Sequence, residues 1–223
     1  MPTFDLRGIH VAKYINTNGT ITYDEPVSAG DAMNANLELR FAEGRLYAES
    51  VLAEYIKLAT GGTISIATKY IPNDAQTLMY GTQESTRTVN EDKTVKGIKF
   101  TAKDVASYVG VSFYAPDMID GVSKYTCVFI ARALFGPPSL AYQTRGESIT
   151  FQTPTTSGEF LANHADTQDL IETGIADTEE DALAWCYTVF GATVPQAKLA
   201  SAGTIISPDQ VAQGEVSENT VGV

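Results

Sequence analysis

Histidine and cysteine are scarce in this chain, and its last quarter is almost without bases. His10 and His164 are the only histidines in 223 residues, and neither has a His, Cys or Glu neighbour at metal-ligand spacing. Cys127 and Cys186 are the only cysteines. Each sits in an apolar run, which points to buried free thiols rather than a disulfide framework and to a protein made and kept in a cytoplasm. No apolar run approaches the roughly 18 to 20 residues of a membrane-spanning helix. Met1–Arg7 lacks the basic and apolar regions of a secretory signal. Phosphate-loop, dinucleotide and nucleophile-elbow motifs are absent, and Gly61-Gly62 has no helix start after it to cradle a phosphate. The acids of Asp177–Asp181 lack the alternating ligands and central glycine of a calcium loop, and no carboxylate pair is marked for glycoside hydrolysis. The expectation is a protein with no catalytic residue, no cofactor and no metal.

What is present is a globular composition, 43% hydrophobic and 19% charged, enough for one large β domain with an appendage. The formal net charge is −12, which argues against tight nucleic-acid binding, since that requires Lys and Arg at the phosphates. The charge is uneven. Residues 1–160 hold 14 bases and 17 acids, whereas residues 161–223 hold Lys198 alone against ten acids.

Strand signals dominate. Gly8–Ile15 and Thr20–Tyr23 flank the turn cluster Asn16–Gly19 and read as a hairpin. Asn36–Phe41 alternates, with Leu37, Leu39 and Phe41 on one face and Glu38 and Arg40 on the other. Gly44 is expected to break that strand before Leu46–Ser50. Glu54–Ala59 and Thr63–Tyr70 flank Thr60-Gly61-Gly62, read as a hairpin turn because glycine takes positive φ without strain. Three β-rich runs follow, Val105–Ala115, Lys124–Phe135 and Glu147–Phe160, separated by the spacers Pro116–Ser123 and Gly136–Arg145. Such a region, with no reactive group to present, suits a surface built for another protein.

Two helices are expected. Asn73 as N-cap, with Gln76 three residues on, opens a short one that Gly81 stops. Thr178 opens the second. Asp181 completes its cap, Glu179–Asp181 suit the helix dipole, and Ala182, Leu183, Cys186, Val189 and Phe190 fall at helical spacing. Ser85–Lys96 reads as an exposed polar loop, and Ser207–Val223 as a mobile tail. The expected organisation is a β-rich core over residues 1–162, an acidic linker and amphipathic helix over 163–191, and a flexible tail over 192–223. The fold class is mainly β, a sandwich or barrel core with a flanking short helix, plus a C-terminal helix and tail.

Arg45-Leu-Tyr-Ala-Glu-Ser, then Lys103–Phe113 with Lys124–Phe135, then Glu147–Phe160, resemble, in that order, the major tail proteins of long-tailed, non-contractile phages. The resemblance covers residues 5–162. It implies a β-sandwich or barrel subunit that assembles as hexameric rings, which stack into a tube around the tape measure protein and later pass the genome. The implied partners are further copies of the chain, the tape measure, the tail terminator and the distal tail protein, with DNA in transit. The implied location is the virion tail, assembled in the host cytoplasm.

A closing ring uses two different patches on each subunit, and sheet edges are natural joints. The loops Asp24–Asn34 and Thr82–Lys96 and the C-terminal tail are candidates for elements that order on assembly. The candidate lumen face is Glu38, Arg40, Glu49, Glu54 and Lys57, which sum to −1. The same residues also fit the solvated face of a half-buried sheet. Other readings remain: a virion decoration or host-surface-binding β domain, for which the two long loops are short of aromatics, a β-fold hydrolase, or the tube protein of a contractile tail.

Overall fold

The computed structural model describes residues 5–90, 93–119, 121–144 and 151–195. It is mainly β, as the sequence predicts. In chain order the elements are β1 (Arg7–Thr17), β2 (Thr20–Tyr23), β3 (Val27–Ser28), β4 (Ala32–Ala48), β5 (Val51–Thr68) and α1 (Asn73–Tyr80). There follow β6 (Gln83–Asn90), β7 (Lys93–Lys99), β8 (Val109–Ile119), β9 (Val122–Phe135), β10 (Thr155–Phe160), β11 (Ile171–Ala176) and α2 (Glu179–Thr188).

Nine strands form one antiparallel sheet, running β2-β1-β8-β9-β10-β5-β4, with β3 added to β1 and β11 added to β9. The sheet curls, because side chains far apart in that order meet in one core. Ile9 and Val11 of β1, Ile64 and Ile66 of β5, Val111 of β8, Ile130 of β9 and Phe160 of β10 pack together. Ala75, Met79 and Tyr80 of α1 join them. α2 covers the opposite face, where Leu183, Cys186 and Tyr187 meet Tyr114 and Cys127, and Phe190 meets Ala12, Phe129 and Ala131.

This layering explains the third-quarter sequence. β8 and β9 are covered on both faces, so their runs are nearly continuous in apolar residues rather than alternating. Val111 pairs with Ile130 toward the core, and Tyr114 pairs with Cys127 under α2. The strands are displaced from the predicted bounds: Pro116–Ile119 extend β8 and Val122–Ser123 begin β9, so the expected spacer is mostly sheet. Residues 145–150 lie outside the described residues, and among the described part of the last run Thr155–Phe160 is strand.

The helix ends behave largely as read. Thr178 Oγ1 accepts from the Asp181 N–H, at 3.1 Å, and Gly81 closes α1 in the left-handed conformation at φ 68°. Asn73, however, is the first helical residue of α1 and Pro72 stands at the cap without a side-chain bond. The region 163–191, expected to be linker and helix, also contains β11, which pairs with β9 from Ile171↔Ile130 to Ala176↔Tyr125. The expected mobile tail falls outside the described residues from 196 onward.

Both loops named as assembly candidates carry regular structure. Val27 and Ser28 pair with β1, and Pro26, Ala29 and Gly30 are buried. The polar stretch after Thr82 is the hairpin β6–β7, paired from Gln83↔Lys99 to Asn90↔Lys93. It reads as loop because its exposed positions leave little apolar alternation to detect.

Candidate functional site: an exposed β-arm

β4 and β5 form one long hairpin, paired from Ala32↔Thr68 to Ala48↔Val51. Its base belongs to the body: Gly61 and Gly62 are buried, and Ile64 and Ile66 are each 1% exposed. Beyond them, every residue from Glu38 to Thr60 is exposed. The distal pairs, from Phe41↔Ala59 outward, carry the arm about 27 Å beyond the body at roughly 3.3 Å per residue.

Two expectations fail here. Gly44 does not end β4; it pairs with Ile56 inside the ladder. Thr60-Gly61-Gly62 is not the turn. The chain runs straight through it as β5, with a register irregularity that pairs Arg40 with Gly61 and Phe41 with Ala59. The turn is Glu49-Ser50, whose φ values of 51° and 66° are both left-handed, as a two-residue connection between right-twisted strands requires. The glycines serve close approach instead. A Cβ on Gly62 would lie 2.1 Å from the Glu38 carbonyl oxygen and 2.4 Å from the Phe160 ring.

Strand alternation gives the arm two different faces. One carries Phe41, Glu43, Arg45, Tyr55 and Lys57, and it is internally paired. Lys57 Nζ sits 4.4 Å from the Phe41 ring centroid and 3.4 Å from Glu43. Arg45 lies over the Tyr55 ring at 5.4 Å and 3.5 Å from Glu43. Hydrogen bonding to Tyr55, then to Lys57, holds the Glu43 carboxyl below its usual pKa. Each exposed contact is weak alone, but cross-strand pairs of this kind hold a ribbon that has no core beneath it.

The other distal face is aliphatic and bare. Leu58 pairs with Ala42 and Ile56 with Gly44, while Leu46 stands opposite Glu54. Leu46, Ile56 and Leu58 are 59%, 53% and 63% exposed. Near the tip, Tyr47, Val51 and Leu52 are likewise exposed.

The five candidate lumen residues divide accordingly. Glu38 and Arg40 share the outer polar face at the base of the hairpin, where Arg40 Nη2 meets Glu159 Oε1 at 2.6 Å. Asn36, Thr63, Ser65, Ser157 and Glu159 line a shallow groove on that face. Glu54 continues the face outward but among aliphatic side chains, Glu49 is in the turn, and Lys57 is on the opposite, paired face. Sequence reading missed Glu159, which the β10–β5 register sets across Thr63 from Glu38 and within reach of Arg40, and the aliphatic row, whose two strands are placed in step by the irregularity at Thr60.

Cys127 and Cys186 are buried free thiols. His10 is buried and packs edge-on against Tyr187, with ring centroids 4.8 Å apart. His164 lies between Tyr14 and Arg132, 3.1 Å from the Tyr14 hydroxyl and 2.7 Å from Arg132 Nη1. Among the described residues no group of His, Cys, Asp or Glu is arranged to hold a metal ion. The chain matches no protein-family model and no curated protein. No helix among the described residues is long and apolar enough to cross a membrane.

Proposed function

We propose that this chain is a self-assembling structural subunit, the tube protein of a long-tailed, non-contractile phage tail. It acts without catalysis and works in the virion, as stacked six-membered rings through which the genome leaves. One observation carries the reading: the β4–β5 arm leaves the body with an aliphatic face that none of the described residues covers. Contiguous exposed apolar surface of this kind marks a contact with another molecule. On an edge strand it is a hazard unless a partner is designed to meet it; among the described residues β4 pairs only with β5. A patch used against a different region of the next copy generates rings and stacks rather than a two-fold dimer.

The polar outer face of β10, β5 and β4 fits the lumen in this scheme. Its charged members Glu38, Arg40 and Glu159 sum to −1, so it offers DNA no basic surface to hold it. The tape measure protein would be the first occupant of that channel, and the tail terminator and distal tail protein would meet the two ends of the tube.

Negative-stain microscopy of the concentrated full-length protein tests the proposal. Hollow tubes or six-fold rings are the expected particles. A discrete trimer or smaller oligomer in which the arm remains open to solvent and protease overturns it, and favours a decoration or surface-binding domain.

A further inference from the structure

Cys127 on β9 and Cys186 on α2 lie on facing elements in one buried cluster, and each is 0% exposed. Three contacts set them side by side. The Cys127 thiol lies 3.9 Å from the Ala182 carbonyl oxygen, the atom that accepts the Cys186 N–H one turn later in the helix. Ser112, on the same outward face of β8 as Tyr114, donates to the Cys186 carbonyl at 3.0 Å. Across the sheet, Cys127 pairs with Tyr114 on one side and Gly174 on the other. Gly174 lets α2 come close, since a Cβ there would stand 3.0 Å from the Trp185 ring. The neighbouring Cys127 thiol and then burial push the Cys186 thiol up, while Cys186 in turn lowers Cys127.

We propose that this pair is a latent disulfide site, oxidised by hydrogen peroxide or a similarly small hydroperoxide, that pins α2 to the sheet. The inference stands apart from the tube reading and does not depend on it. The Cys127 thiolate attacks a peroxide oxygen, breaking the O–O bond, and becomes a sulfenic acid; the expelled hydroxide takes up a proton as water. Cys186, losing its proton, attacks the sulfenic sulfur and releases a second hydroxide, which that proton converts to water. Two thiols and one hydrogen peroxide thus give one disulfide and two waters. A small oxidant is required because both sulfurs are covered, and reaction proceeds through local opening of α2.

The test uses the full chain, reduced, then treated with hydrogen peroxide in native buffer. Trypsin cuts after Lys124, Arg132, Arg145 and Lys198, so the expected product joins peptide Tyr125–Arg132 to the peptide spanning residues 146–198. The free-thiol count on unfolding falls to none, and dithiothreitol restores it. The thermal midpoint of the oxidised chain rises by roughly 9–17 °C, as closing a loop of this length in a chain of this size implies. Thiols still free after treatment overturn the proposal. So do sulfinic acid at either cysteine without the joined peptide, or links between separate chains.

Discussion

Gly61 and Gly62 stand where the body ends and the arm begins, and they are there for what lies above them. β10 pairs with β5 with Phe160 opposite Gly62, and Phe160, fully buried, fills the space a side chain would need. At Gly62 the obstacles are a backbone carbonyl from β4 and an aromatic ring fixed in the core, neither of which can swing aside like the end of a flexible side chain. Gly62→Ala should therefore force the strands apart and cost about 3 kcal/mol or more, as overpacking of a core does. For a chain of this size that is a fall of roughly 6–12 °C in thermal midpoint, measurable by calorimetry or circular dichroism. An unchanged midpoint would mean that the β4–β5–β10 junction is looser than described. A contrasting substitution, Gly44→Ala, meets nothing within 4 Å and should leave the midpoint in place.

Among the elements, α2 is the one whose start is written most fully in local chemistry. Thr178 is extended and accepts from Asp181, with Glu179, Glu180 and Asp181 in the first turn. Thr178→Ala should cost about 1 kcal/mol, and Thr178→Asn should recover most of it, read as shifts in a denaturant midpoint. Equal loss in both variants would show that the hydroxyl does more than cap. The cap was legible because it depends on four consecutive residues. β8 and β9 were legible because burial on both faces leaves long apolar runs. The arm was not: its turn, Ala48-Glu49-Ser50-Val51, has no glycine or asparagine to announce it, while Gly44 and Thr60-Gly61-Gly62 announce breaks that the ladder overrides. β11 was missed for a related reason. Ile171-Glu-Thr-Gly-Ile-Ala is short and weakly patterned, and its strand state comes from pairing with β9, more than forty residues earlier in the chain. The candidate lumen set was half legible. Alternation placed Glu38 and Arg40 together, but the misplaced turn put Lys57 on the wrong face, and nothing local points to Glu159.

For the whole molecule, the balance to be explained is between a well-buried body and an arm with no interior. The arm exposes Leu39, Phe41, Leu46, Tyr47, Val51, Leu52, Tyr55, Ile56 and Leu58 at 45% to 67% each. At the side-chain areas typical of large apolar residues this comes to about 800–900 Å², close to the roughly 800 Å² that each partner contributes to a stable protein interface. The arm alone is thus large enough to be one half of a subunit joint, and its ladder face shows how it survives uncovered. Phe41 and Tyr55 are roofed by Lys57 and Arg45, leaving the aliphatic face as the part that water disfavours. Ile56→Thr with Leu58→Thr removes apolar surface from that face while placing at both positions a β-branched residue that suits a strand. Neither residue touches the core cluster, so the body should unfold at the parent's midpoint. Each replacement forfeits about 1.5 kcal/mol of burial at the joint, and two raise the concentration needed for assembly about 100-fold. Sedimentation and electron microscopy across a dilution series read that threshold directly. If the double variant assembles at the parent's concentration, the arm is not the joint. The exposed face would then need another occupant, while the fold itself would stand.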